Sequence, residues 1–144
     1  MPTRKQSQPF LLDTHVWIWL MNGEKRMERG PFVRRLRGTP SLSARISVMS
    51  VWEVGMLEAK KRIEFPLGCL EWVQRALEAP GMALVPLTAE VAIASARLPG
   101  AFHGDPIDRI LVATARDLGM TLVTQDSRIL AYSKEHHLPA IPAF

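Results

Sequence analysis

Four acidic residues stand at points where apolar segments of the chain meet polar ones. They are Asp13 after Phe10-Leu11-Leu12, Glu53 after Ile46-Ser47-Val48-Met49-Ser50, Asp108 in Gly104-Asp105-Pro106-Ile107-Asp108-Arg109, and Asp126 after Leu122-Val123-Thr124-Gln125. Acids just beyond the buried strands of an open α/β sheet lie at the edge where such sheets bind ligands. Two carboxylates brought to about 4 Å repel each other by roughly 4 kcal/mol at an effective dielectric constant near 20. A cluster of all four would therefore need protons or a cation to neutralise it.

A cation held in this way would support phosphoryl chemistry. A set of oxygen ligands suits Mg²⁺ or Mn²⁺, which bind through a few carboxylates and several waters. Such an ion polarises a phosphoryl oxygen and lowers the pKa of an attacking water. The four acids therefore indicate hydrolysis of a phosphodiester, with one carboxylate helping to deprotonate the water.

Each acid also has a purely structural interpretation. Glu53 follows Ser50 by three residues, which is the spacing of a helix capping box. Asp105 suits the N-cap position before a helix, and Asp108 suits the first turn, where negative charge interacts well with the helix dipole. A cap or a turn would equally account for the remaining two, Asp126 and Asp13. Taken together these interpretations are weaker. Ser, Thr or Asn would cap a helix equally well, yet Asp or Glu stands at all four positions.

The elements that must position the acids alternate between strand and helix. Strands are predicted at 9–13, 45–48, 82–87 and 120–124, with an extended stretch near 140–141. Helices are predicted at 15–21, 31–37, 50–62, 68–79 and 89–98, from an Asp105 cap to Gly119, and around 129–132. The strand segments are continuously apolar, which is typical of strands that are buried on both faces. This favours a mostly parallel sheet covered by helices on both faces. Strand ends of a parallel sheet share one edge, so the acids would converge there.

Length and composition limit the class of protein. The 144 residues suit a single domain, expected at 9–144, after a polar, basic leader at 1–8. The longest apolar run, 16–21, is far shorter than the roughly 18 residues of a membrane helix. The single cysteine, Cys69, cannot form an internal disulfide, so a cytoplasmic location is expected. A net charge of +4 and a pI near 9.7 are compatible with a polyanionic partner.

The ordered acidic motifs resemble those of PIN-domain ribonucleases, and more narrowly the VapC-type toxins of bacterial toxin–antitoxin pairs. The resemblance covers roughly residues 10–132 and is carried by four segments in the family's order: Leu11-Leu12-Asp13-Thr14-His15, the approach from Ile46 to Glu53, the run from Asp105 to Ala115, and Leu122-Val123-Thr124-Gln125-Asp126. It implies a three-layer α/β/α PIN-like domain with a central, mostly parallel sheet.

The resemblance also implies an activity and partners. It implies a Mg²⁺-dependent endoribonuclease, with Mn²⁺ as an alternative ion, that acts as the toxin of a type II pair. The expected partners are an RNA substrate, a second copy of the chain in a homodimer, and an antitoxin whose tail blocks the acidic site. No membrane partner is expected.

The resemblance assigns the metal to named residues. Asp13, Glu53 and Asp108 would hold the main ion, and Asp126 would complete the cluster either directly or through water. Asp108 is preferred to Asp105 because it precedes the apolar helix as the family acid does. Two polar neighbours would orient a ligand or water, namely Thr14 and Thr124.

Two alternatives to an active nuclease are compatible with the sequence. One is a PIN-like module that has lost activity and only binds RNA or a partner, although a dead site would have no need for four mutually repelling acids. The other is a phosphatase or NTPase on a similar sheet. The chain lacks the Gly-x-x-x-x-Gly-Lys-Ser/Thr loop of nucleotide-binding proteins. Residues 13–15 also lack the Asp-x-Asp pairing of aspartyl-phosphate phosphatases.

Several aromatic and basic residues have candidate roles near the site. Core packing, or a groove for a partner helix, is favoured over base stacking for Trp17, Trp19 and Trp52. Arg109 would contact either a phosphate or a neighbouring acid. The spacing of the histidines predicts no metal-binding role for any of them: His15, His103, His136 and His137.

Overall fold

A computed structural model describes residues 8–38 and 43–144 of the chain. Apart from Gln8, the predicted leader lies outside the described residues. The strands are β1 (Phe10–Leu12), β2 (Ala44–Ser47), β3 (Met82–Val85), β4 (Thr121–Val123) and β5 (Ala140–Ile141). The helices are α1 (Thr14–Met21), α2 (Lys25–Glu28), α3 (Pro31–Gly38), α4 (Val48–Ala59), α5 (Cys69–Leu77), α6 (Ala89–Ala96), α7 (Pro106–Leu118) and α8 (Ser127–Lys134).

The strands form one five-stranded sheet in the order β3-β2-β1-β4-β5, and every pairing between them is parallel. β1 is therefore central, with Phe10 opposite Ala44 of β2 and Thr121 of β4. Because the strands are parallel, the carboxyl ends of β1, β2 and β4 meet at one edge. The predicted α/β/α architecture is confirmed.

The core has two halves, one on each face of the sheet. Successive side chains of a strand point to opposite faces, so Phe10 and Leu12 enter one half with Trp17 and Phe32. Leu11 enters the other half, beside the apolar stripe of α7 and residues of β4 and α8. All three side chains of β1 are buried, which explains the continuous apolar run of this strand.

Two predictions about the way the helices begin were wrong. Ser50 does not cap α4: Ser47 does, with its hydroxyl accepting from the backbone amide of Met49 at 3.1 Å, so the helix starts before Ser50. Asp108 differs from the general expectation that the acids lie just beyond strands, because it is in α7, which comes after α6 and a loop at 97–105. The cap by Asp105 and the end of α7 at Gly119, which has a left-handed conformation with φ 65°, are confirmed.

Among the residues that the structure describes, no helix is long and apolar enough to span a membrane.

Candidate functional site

A cleft of about 370 Å³ opens at the carboxyl edge of the sheet, beyond β1 and β4 and beside α4 and α7. All four predicted acids line it, and so does Asp105. The complete lining is Asp13, His15, Val16, Trp19, Glu53, Asp105, Asp108, Gln125, Asp126 and Arg128. The fold therefore brings together acids from four separate segments of the chain.

Asp13 lies at the N-terminus of α1, directly after the central strand. Its side chain does not cap the helix. One carboxylate oxygen, Oδ2, instead accepts a hydrogen bond of 2.7 Å from the hydroxyl of Thr124. Burial raises the pKa of Asp13, and the charge of Asp126 adds to this, while the Thr124 hydrogen bond and His15 act in the opposite direction. The Thr124 hydroxyl thus fixes the orientation of the Asp13 carboxylate.

Thr14 supports the site differently from the prediction. Its hydroxyl does not line the cleft; it donates to the hydroxyl of Ser50 at 2.9 Å, and both side chains are fully buried. This bond ties the start of α1 to the first turn of α4. Glu53 lies one turn beyond Ser50 on the same face of α4, so the bond joins the segment that carries Asp13 to the helix that carries Glu53.

Asp108 occupies the first turn of α7, where the carboxylate of Asp105 accepts from its backbone amide at 2.9 Å. Its side chain is only 15% exposed. Burial raises the pKa of Asp108 to about 7, and repulsion from Asp105, Asp13 and Asp126 contributes, while Arg128 opposes the shift. The cluster thus resists full ionisation, because neighbouring carboxylates disfavour one another's charged form.

Asp126 caps α8 and is paired with Arg128. Oδ1 of Asp126 accepts from the backbone amides of Arg128 and Ile129, at 2.8 and 3.3 Å. The Arg128 guanidinium donates to Oδ2 of Asp126 at 3.2 Å and reaches Oδ2 of Asp108 at 3.5 Å. Burial raises the pKa of Asp126, but the bonds from Arg128 and the two amides outweigh it, so the pKa is lowered overall.

The arginine that faces the acids is not the one that the sequence suggested. Among the residues that the structure describes, Arg109 pairs with no acid. Its guanidinium donates to the backbone oxygens of Ser95, at 2.9 Å, and Phe102, at 2.7 Å, and so holds the 97–105 loop against α6. Arg128 is the arginine that lines the cleft. Its position in the first turn after Asp126 was the available signal.

His15 also lines the cleft, contrary to the prediction that no histidine had a partner at metal spacing. His15, Asp13 and Glu53 each offer one ligand atom, and these atoms lie within 4.8 Å of one another. Opposite ligands of an octahedral Mg²⁺ are about 4.2 Å apart, given bond lengths of about 2.1 Å. The upper limit of 4.8 Å on the separations exceeds this by about 0.6 Å, so small side-chain shifts would bring the three donors to one small divalent cation. The Asp-x-His spacing at the start of α1 was the sequence signal.

The three tryptophans have different surroundings. Trp17 is fully buried, which agrees with core packing, and Trp19 packs on the core while forming part of the cleft wall. Trp52 is 55% exposed. It lies in an apolar groove of about 470 Å³ that adjoins the cleft and shares Glu53 and Asp105 with it. Trp52 is therefore not part of the core.

An all-parallel α/β/α domain with a carboxylate-lined cleft at the carboxyl edge belongs to a class of proteins suited to metal-assisted phosphoryl chemistry. A family model described as PIN domain matches residues 10–135. The chain is 31% identical over 122 residues to Ribonuclease VapC22 of Mycobacterium tuberculosis, covering 85% of this chain and 90% of that protein. The chain belongs to the PIN domain family, and the predicted resemblance to VapC-type ribonucleases is confirmed.

Solved structures support the same fold. VapBC2 of Rickettsia felis, bound to a DNA fragment from its promoter, matches with a TM-score of 0.67 at 13% identity, covering 94% of this chain and 98% of that chain. DNA-bound VapBC of Salmonella typhimurium matches with a TM-score of 0.67 at 16% identity, covering 96% of this chain and 100% of that chain. At these identities the likeness establishes the fold alone.

Proposed function

We propose that this protein is a metal-dependent endoribonuclease that acts as the toxin of a type II toxin–antitoxin pair. The observation that carries the proposal is the convergence of Asp13, Glu53, Asp108 and Asp126 on one cleft of a PIN domain. The likeness to Ribonuclease VapC22 supports the same activity.

The chemistry of the donors fits a divalent cation. Carboxylate oxygens dominate the cleft, and burial together with mutual repulsion raises the pKa of both Asp13 and Asp108. A cation would relieve this repulsion. We assign Mg²⁺ to the four acids, with Mn²⁺ as an alternative. When bound, the ion would supply Lewis-acid polarisation of a phosphoryl oxygen and a lowered pKa for water.

The residues of the chain would perform the remaining tasks. Thr124 holds the carboxylate of Asp13 in one orientation. A carboxylate oxygen of the cluster that is free of other bonds would accept the proton of the attacking water. Arg128, whose side chain is 55% exposed at the edge of the cleft, is placed to contact a non-bridging oxygen of the scissile phosphate.

We further propose the partners that this activity implies. The substrate would be RNA, drawn to a chain of net charge +4. Related structures solved as VapBC assemblies support a cognate antitoxin as a second partner. A homodimer, a cytoplasmic location and a single domain at 9–144 complete the proposal.

The activity can be tested with purified protein and a mixture of cellular RNAs. We expect cleavage that stops in excess EDTA and returns when Mg²⁺ or Mn²⁺ is added back in excess. Asp13→Asn should reduce the rate by at least about 100-fold, because it removes a charged ligand of the ion. The matched control is Glu71→Gln, which changes an exposed acid on α5 that pairs with Arg75. Unchanged cleavage in EDTA or in Asp13→Asn would refute the metal mechanism.

A further inference from the structure

We propose that His15 is a nitrogen ligand of the metal site and that it makes the site select a first-row transition ion such as Mn²⁺ over Mg²⁺. This inference rests on the proposed metal-dependent function and goes beyond the four acids assigned to it. It names both an additional ligand and the class of ion that the ligand favours.

The first observation is geometric. His15 is the second residue of α1 and lies two positions after Asp13, so both side chains leave the chain at the same end of the central strand. A ring nitrogen of His15 and carboxylate oxygens of Asp13 and Glu53 lie within 4.8 Å of one another. The buried bond between Thr14 and Ser50 holds α1 and α4 at the spacing that brings these donors together.

The second observation concerns the distribution of charge across the cleft. Arg128 compensates Asp126 and Asp108 on one side. Among the described residues, no lysine or arginine forms an ion pair with Asp13 or Glu53 on the other side. The negative charges without a basic partner, those of Asp13 and Glu53, are therefore next to His15. A cation would bind most strongly on this side of the cleft.

The identity of the donors determines which ion would bind best. Mg²⁺ is a hard cation that takes oxygen ligands, whereas first-row transition ions also accept imidazole nitrogen, with an affinity that rises from Mn²⁺ through Co²⁺ to Ni²⁺. Two carboxylates with one imidazole therefore form a mixed set that gains affinity for Mn²⁺, Co²⁺ or Ni²⁺ from its nitrogen and gains little for Mg²⁺. A site of carboxylates alone would lack this preference.

A structural role for His15 has to be distinguished from ligation. The ring of His15 is tilted by 50° against Trp19, with centroids 6.1 Å apart, so the imidazole also covers part of an aromatic side chain. Loss of packing would change stability without changing the atoms around a bound ion. The test must therefore report on the nitrogen itself.

The experiment uses the full chain with Mn²⁺ alone as the probe. Pulsed electron paramagnetic resonance detects the modulation that a directly bound nitrogen imposes on the Mn²⁺ signal. This measurement does not depend on whether the protein cleaves RNA. We compare the wild type with His15→Asn and with the control His136→Asn. His136 is an exposed histidine at the far end of α8 with φ 66°, a conformation that asparagine tolerates.

We expect nitrogen modulation in the wild type and in His136→Asn, and its loss in His15→Asn. Calorimetric titration should show Mn²⁺ affinity falling by at least about tenfold in His15→Asn and Mg²⁺ affinity changing by less than about twofold. Wild-type protein that binds Mn²⁺ without nitrogen modulation, or that binds no Mn²⁺, would overturn the proposal. RNA cleavage without such modulation would refute the role of His15 only, and modulation without cleavage would refute the nuclease only.

Discussion

Replacing Asp108 with asparagine should stabilise the metal-free protein, even though it damages the proposed site. Asp108 is partly buried and lies near three other acids, and its pKa is raised from an ordinary 3.8 to about 7. An acid whose pKa is higher in the folded state is ionised there at a cost in stability. An asparagine side chain has nearly the same shape and carries no charge, so the variant would avoid that cost.

The magnitude follows from the two pKa values. A rise from 3.8 to about 7 corresponds to about 4 kcal/mol at pH 8, where the carboxyl is ionised in both states. This figure is an upper bound, because solvent screens the partly buried carboxylate and because the variant also loses a 3.5 Å contact with the largely exposed guanidinium of Arg128. We expect Asp108→Asn to raise the free energy of unfolding by about 2 to 3 kcal/mol.

The dependence on pH has a definite sign. Well below pH 3.8 the carboxyl is protonated in both the folded and the unfolded state, so wild type and variant should be equally stable there. The destabilisation of the wild type grows as the pH rises from about 4 to about 7 and is complete above 7. The advantage of the variant should therefore be largest at pH 8 and small near pH 4.

The assay is urea unfolding in EDTA, followed by tryptophan fluorescence at pH 8 and at pH 4.5. Asp117→Asn, an exposed acid in the last turn of the same helix, serves as the control and should change stability by less than about 0.5 kcal/mol. Saturating Mn²⁺ should reverse the order, because it stabilises the wild type more than the variant. A variant no more stable than the wild type at pH 8, or a difference that does not vary with pH, would refute the electrostatic account of the cleft.

Two further predictions concern the neighbours of these acids. Arg128→Gln removes the guanidinium that compensates the charges of Asp108 and Asp126, so calorimetry should show several-fold tighter Mn²⁺ binding while RNA cleavage falls. Weaker Mn²⁺ binding would contradict the idea that Arg128 and the cation compete for these carboxylates. Ser50→Ala leaves the buried hydroxyl of Thr14 without its acceptor and should lower the free energy of unfolding in urea by about 1 to 3 kcal/mol. Adding Thr14→Val should recover part of this loss, and equal losses in the single and double variants would argue against the bond.

The fold was largely predictable from local patterns. The buried run of β1, the apolar stripe of α7 and the Gly119 stop are each encoded within a few residues, and the structure has them where the sequence indicated. The helix α2 spans only Lys25–Glu28, one turn, which is too short to show a helical period. A local pattern cannot reveal an element of that length.

The site was predictable in its acids but not in their partners. The four acids were identified because they stand in recognisable motifs that follow one another in order along the chain. The role of Ser50 was misread because its hydroxyl is needed by Thr14, 36 residues away, and no local rule reports that contact. Arg128 and His15 each stand close to an acid in the sequence, but the contact of Arg128 with Asp108 and the approach of His15 to Glu53 exist only in the folded chain.

The central position of β1 has a consequence for the time at which the protein can become active. Asp13 is made early, but its carboxylate is oriented by Thr124, 111 residues later, and its backbone amide donates to Val123 of β4 at 3.0 Å. A chain still being translated has neither contact until β4 has emerged and inserted beside β1. With the proposed activity, the growing polypeptide could not attack its own message during most of its synthesis. Premature stops ahead of residue 121 should yield harmless fragments.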